Sequence, residues 1–203
     1  MVQKAEATQP AGRPRSFDRE RALARAMEVF WIKGYEGTSL ADLTAAMAIN
    51  RPSLYAAFGN KEDLFAEALA LYESVEGEPI TRLLAEAPTA REAIAATLRH
   101  NARVYVETGR PRGCMIVLSS LVGDTECAPV RALLAARRAA GEDELRLRIE
   151  RGQAEGDVAA DVDARQLAAF VTAVLQGMSV KARDGAGRAE LDAIVDAALR
   201  AVP

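Results

Sequence analysis

Aromatic residues make up only 5% of the 203-residue chain, while alanine and leucine abound, a bias that favours helix over strand. No apolar run approaches the roughly 18 residues of a membrane span. The opening MVQKAEATQPAGRPRS lacks the apolar core of a secretory signal and is expected to be a disordered arm. Cys114 and Cys127 are the only cysteines, without a framework spacing. That excludes a stapled secreted fold and points to a reducing, cytoplasmic setting. One histidine, His100, leaves too few soft ligands for a tetrahedral metal site within the chain. Neither a strand-turn-helix phosphate loop nor a nucleophile elbow is found. An enzyme is therefore not expected, and neither a cofactor nor a metal is implied.

Charge of one sign is also missing, since the net charge is −3, which taken whole argues mildly against nucleic acid. Its distribution says more. Residues 1–63 hold nine Lys/Arg against eight Asp/Glu, whereas residues 64–203 hold 17 against 21. Within the first 25 residues, Lys4, Arg13, Arg15, Arg19, Arg21 and Arg25 face only Glu6, Asp18 and Glu20. A basic arm on an acidic body is a footprint of DNA binding, although many solvated tails share it.

What the chain does have is helical punctuation. Leu23, Ala26, Met27, Phe30 and Trp31 form one apolar stripe between Asp18, a good N-cap, and Gly34, a C-terminal stop. Trp31 reads as core. Ser39 and Asp42 then have capping-box spacing, with Leu40, Leu43 and Met47 on the buried side. After the tight connection Ala48-Ile49-Asn50, Asn50 caps a second short helix, RPSLYAAF, with Pro52 in its first turn. Asn60 caps the next, KEDLFAEALALY. Further helices are expected near 91–107, 114–122, 129–153, 163–184 and 188–201. Breaks are expected at 77–79, 87–89, 109–111, 123–124, 156–157 and 185–187. No window alternates with period two, so the chain is expected to be all-α. The expected division is an arm over 1–15, a three-helix helix-turn-helix domain over 16–62, and a larger helical ligand-binding and dimerisation domain over 63–203.

Two short helices joined by a three-residue turn fit the helix-turn-helix, whose second helix enters the major groove. Leu54 and Phe58 point into the core, so Pro52, Ser53 and Ala56 face away with Tyr55 on the flank. Ser53 can bond a base, Ala56 can touch a thymine methyl, and Arg51 can reach guanine or phosphate. Tyr55, Lys61, Thr38 and Ser39 sit where they could grip the sugar-phosphate backbone. The same spacing also suits an ordinary helix pair in a bundle, with Ser53 and Tyr55 merely solvated. The arm can lay Arg13 and Arg15 in a narrow minor groove, or act as a tail with only non-specific attraction.

Residues 16 to roughly 72 resemble the DNA-binding domain of the TetR family of bacterial repressors. The resemblance is carried by Leu23, Ala26-Met27, Phe30, Lys33-Gly34-Tyr35, Thr38-Ser39 and Leu43. It continues through Ile49-Asn50-Arg51-Pro52-Ser53-Leu54-Tyr55, Phe58, Lys61-Glu62 and Leu64-Phe65. It departs from the family pattern at Ala48 and Pro52, where glycines are common, and at Ala56-Ala57, where bulkier residues are frequent. These departures bear on which operator is read. The resemblance implies a homodimer on palindromic double-stranded DNA, released when a small-molecule effector binds the C-terminal domain. For the body, Gly113-Cys114 opening an apolar helix and the late GMSVKARDGAGRAEL stretch resemble one subgroup of these repressors.

The last two long helices carry wide apolar stripes: Leu167, Phe170, Val171, Val174 and Met178, then Leu191, Ile194, Val195 and Ala198. They are candidates for a four-helix dimer interface, or one stripe closes the protomer's own core. Candidate effector-pocket residues are Tyr72, His100, Tyr105, Cys114, Met115, Leu118 and Val174, each also readable as plain core. Cys114 follows Arg110 and Arg112 at an expected helix N-terminus, where cation and dipole would favour thiolate. The alternative function is therefore a thiol sensor of oxidants or electrophiles, against Cys114 as a small buried hydrophobe. A DNA-binding dimer answering only to a protein partner also fits.

Overall fold

The computed structural model describes residues 17–120 and 127–203, and among these every regular element is helical. The arm with Arg13 and Arg15 and the expected break at 123–124 lie outside the described residues. The first four helices follow their caps closely. α1 (Arg19–Lys33) begins where the Asp18 carboxylate accepts the N–H groups of Glu20 and Arg21, and it ends on Gly34. α2 (Leu40–Met47) opens with a capping box between Ser39 and Asp42, and α4 (Lys61–Tyr72) with another between Asn60 and Asp63. α3 (Arg51–Phe58) starts where Asn50 accepts the Ser53 N–H, with Pro52 in the first turn.

These helices share one core. Phe30, Leu43, Leu54, Leu64 and Phe65 are fully buried, and Phe65 meets Phe30 edge-on at 5.0 Å. Leu64, Phe65, Ala68 and Leu69 belong to this core, so α4 completes the head. Arg19 ties its three layers together, reaching the Glu67 carboxylate at 2.6 Å, the Ala57 carbonyl at 3.2 Å and the face of Phe58. A second core lies between α5 (Glu78–Glu86), α6 (Ala90–Val104), α8 (Ala128–Glu155), α9 (Ala164–Arg183) and α10 (Arg188–Leu199).

The break expected at 77–79 is absent. The chain stays helical from α4 through a π-helical turn, Glu73–Gly77, into α5, which carries no counterpart in the sequence expectation. In a continuous α-helix the Pro79 ring would strike the carbonyl four residues back, and a locally widened turn relieves that clash. The helix expected over 114–122 is, among the described residues, the single turn α7 (Met115–Leu118).

The α2–α3 turn holds Ala48 at φ 55°, the one positive-φ non-glycine among the described residues. A β-carbon in this left-handed region is strained by about 1–2 kcal/mol. Ala48→Gly removes that strain and loosens the unfolded chain, so a net gain of about 0.5–1 kcal/mol is expected. It should appear as a higher urea midpoint at unchanged m-value. A lower midpoint would show that the turn is unstrained.

Candidate nucleic-acid interface and ligand cavity

Leu54 and Phe58 anchor α3 in the head, which turns the opposite side of that helix outward. Arg51, Pro52, Tyr55 and Ala56 are exposed, Tyr55 at 48%, and Ser53 is half-buried. The backbone under this surface is held at both ends by caps. Ser39 is exposed, but its hydroxyl is engaged with Asp42, at 2.7 Å from the carboxylate. Lys33, at 2.5 Å from Asp42, and the cap bonds hold that carboxyl well below its usual pKa range, with the Lys33 hydrogen bond the largest cause. Lys61 lies over the Tyr35 ring at 4.2 Å, where partial burial lowers its pKa. Thr38 corrects an expectation. It is 1% exposed and donates to the Gly34 carbonyl at 2.6 Å, so its hydroxyl closes the α1–α2 turn and cannot grip a phosphate.

Below the head lies a cavity of about 580 Å³, between the π-turn, α5, α6, α8 and the 113–116 segment. Three expected pocket residues line it: Tyr72, Tyr105 and Cys114. Four do not. Met115 is buried in the head's core, Leu118 lies against Gly113, Val174 packs on the body core, and half-buried His100 lies one residue from the wall residue Asn101. Burial is the larger cause lowering the His100 pKa, followed by the Arg103 charge. Sequence reasoning missed Trp31, Glu73, Glu76, Arg137 and Glu144. Trp31 read as core and is core, but it also forms part of the cavity wall. The carboxylates gave no signal because solvated helix faces carry the same residues.

The cavity touches the head directly. Trp31 belongs to α1 and Tyr72 to α4, and their rings meet edge-on at 4.8 Å. Trp31 Nε1–H donates to the Gly113 carbonyl at 3.0 Å, and Tyr35 N–H to the Ser119 carbonyl at 2.8 Å. Arg183, at the end of α9, donates to the last carbonyls of α1, those of Trp31 and Ile32, at 2.7 and 2.9 Å.

For Cys114 the surroundings favour the buried-hydrophobe reading over the alternative thiolate. Burial pushes the thiol up from its ordinary value, only partly countered by the Tyr72 hydroxyl, which donates to Cys114 Sγ at 3.3 Å. The two arginines that suggested otherwise point away. Arg110 pairs with Glu76 and Glu107, and Arg112 donates to the Ala182 and Ala186 carbonyls.

The dimer expectation is also corrected in part. Val171, Met178, Leu191, Val195 and Ala198 are buried inside the protomer, where α9 and α10 pack on the rest of the body. Phe170 is 39% exposed, while Leu167, Val174 and Ile194 are half-buried. The outward face of α9 instead presents Ala169, Phe170, Ala173, Gly177 and Val180, on the side of the helix opposite the buried stripe. Sequence periodicity identified the inner stripe and Phe170 but missed Ala169, Ala173, Gly177 and Val180.

The model for the tetR family of bacterial regulatory proteins matches residues 22–68, and that for the tetracyclin repressor-like C-terminal domain matches residues 82–199. This chain belongs to the TetR family. Among curated relatives, the HTH-type transcriptional repressor ComR of Escherichia coli is 35% identical over 193 residues, covering 95% of this chain and 92% of ComR. The repressor BdcR of the same organism is 32% identical, covering 91% and 88%. Among solved structures, a cysteine mutant of the TetR family regulator CifR complexed with 26-bp double-strand operator DNA superposes at a TM-score of 0.93. It is 50% identical, over 95% of this chain and all of that one.

If Cys114 is held as a thiol, it reacts sluggishly. In a Cys127→Ser background, alkylation by iodoacetamide at pH 7 is expected to be about tenfold slower than for free cysteine, accelerating as pH rises above the ordinary thiol range. A rate well above that of free cysteine at pH 7 would restore the thiolate reading.

Proposed function

We propose that this TetR-family protein is a homodimeric transcriptional repressor that binds a palindromic operator through α3 and is released by a small molecule in the 580 Å³ cavity. The observation that carries the reading is the outward face of α3: Arg51, Pro52, Tyr55 and Ala56 on a helix capped at both ends. The CifR complex with operator DNA, similar over 95% of this chain, supports the same reading. On this proposal Arg51 meets guanine or phosphate, Ser53 and Ala56 meet base edges, and Tyr55 and Lys61 contact the backbone. Ser39 contributes at the start of α2, and Arg13 and Arg15 of the arm enter the minor groove. The 16–62 head reads the DNA and the 63–203 body senses, with α4 shared between them.

Release follows from what the cavity touches. A ligand bound between Trp31, Tyr72 and Cys114 pushes on α1 and α4 from below. It favours whichever head orientation leaves it more room, and operator affinity falls by the ratio of its affinities for the two orientations. Two-fold recognition needs two heads, and the outer faces of α9 and α10, with Phe170 at their centre and Leu167, Val174 and Ile194 at the margin, form the dimer surface.

Selection from a random duplex pool at moderate salt should enrich a palindrome, and Arg51→Ala should weaken its binding by about 1–3 kcal/mol. No enrichment by a folded dimer would remove the central claim. Phe170→Glu places a charge where the two copies meet, and should weaken dimerisation about tenfold or more by sedimentation, with operator affinity falling in step. An unchanged dimer would move the interface elsewhere.

A further inference from the structure

A smaller adjoining chamber of about 160 Å³, sharing Tyr105 and Ile116 with the larger cavity, lies between α5, α6, α8 and α9. Its walls are mainly apolar, with Leu84, Val117, Leu145 and Leu175 among them. Several polar side chains interrupt them, Asn101, Glu144 and Gln176 among them, and two are threonines. Thr97 of α6 is 1% exposed and Thr172 of α9 is 8% exposed, and neither hydroxyl has a hydrogen-bond partner among the described residues. A threonine within a helix commonly returns its hydroxyl to the carbonyl four residues back, as Thr44 does to Leu40 at 2.9 Å. Thr97 and Thr172 do not, although a buried hydroxyl is unfavourable without a partner. Two such groups, from two helices, line one small chamber.

Charge narrows what can reach them. Arg137 is held by Glu73 at 3.3 Å and Arg138 by the Ile116 carbonyl at 3.0 Å, so both nearby cations are committed. The remaining charged groups on the wall of the larger cavity are the carboxylates Glu76, Glu78 and Glu144. An anion would pass carboxylates to a chamber with no uncommitted cation among the described residues. An ammonium would lose its hydration against apolar walls.

We propose that this smaller chamber is the recognition end of the site and takes the hydroxyl or carbonyl oxygen of an uncharged organic molecule. Thr97 and Thr172 supply the hydrogen bonds, and the molecule's apolar remainder lies in the larger cavity against Trp31 and Tyr72. This assignment names the ligand class for the cavity read above as the effector site.

Four probes of one shape test it on the full-length protein: benzyl alcohol, toluene, benzoate and benzylammonium, titrated calorimetrically. Benzyl alcohol is expected to bind about tenfold or more tightly than either ion. Thr97→Val and Thr172→Val preserve side-chain shape, and each should weaken benzyl alcohol about three- to tenfold while toluene binds as well or better. Retained toluene binding shows that the chamber is intact in the variants. Either ion matching the alcohol, valine variants that keep full alcohol affinity, or no binding of the alcohol at all would overturn the proposal. Operator binding in the same samples separates the two readings. Benzyl alcohol bound through Thr97 and Thr172 with the operator complex undisturbed counts against the effector reading alone.

Discussion

The indole of Trp31 holds the two halves of the molecule in one orientation. It sits on a helix of the head, yet its N–H is satisfied by Gly113 in the body and its edge packs on Tyr72. A buried indole N–H left unpaired would be unfavourable by about 1–3 kcal/mol, so the bond constrains where the 113–114 backbone can lie. That backbone runs close to α9. Gly113 has φ 75°, and a β-carbon there would come within 2.7 Å of the Ser179 carbonyl oxygen. Only glycine brings the carbonyl to the indole without displacing α9.

Few other bonds cross between head and body near this point, and they are directional. Arg183 satisfies carbonyls at the end of α1 that the helix leaves open, where positive charge is also favoured by the helix dipole. Ser119 receives the Tyr35 N–H. Apolar contact crosses the same joint, because Met115, Val130 and Leu134 of the body are buried in the head's core, so any change in head orientation must carry these side chains with it. The ligand cavity lies at this joint, so binding and head orientation share atoms. No separate relay between them is needed.

The charged lining of the cavity follows from the same geometry. The π-turn widens the helix between α4 and α5 and brings Glu73 and Glu76 to the wall, where Arg137 and Arg110 meet them from other segments. Burial raises the Glu73 pKa more than Arg137 lowers it, so this carboxylate sits in a drier setting than a surface glutamate. With its cations engaged, the site has little to offer an anion.

The sequence alone determined the head: Asp18, Ser39, Asn50 and Asn60 place four helix starts, and the alternation of Leu54 and Phe58 with Arg51, Tyr55 and Ala56 sets which side of α3 faces outward. These are local signals, decided within one or two turns by backbone N–H groups that need partners and apolar side chains that need a core. The body was legible as helices but not as a site. Pro79 reads as a break because sequence rules assume a regular helix, and only packing against α6 and α8 makes the π-turn worthwhile. For Cys114 the neighbouring arginines left a thiolate open beside a buried thiol, and only the structure shows those side chains engaged with Glu76, Ala182 and Ala186. Val171 and Met178 read as interface because one apolar stripe looks like another, and only the position of α10 and α8 decides which stripe is inward. Thr97 and Thr172 are 75 residues apart and meet in one chamber through the crossing of α6 and α9. Periodicity reports which way a side chain points from its own helix; what it meets there depends on where the other helices lie, and that is settled by tertiary packing.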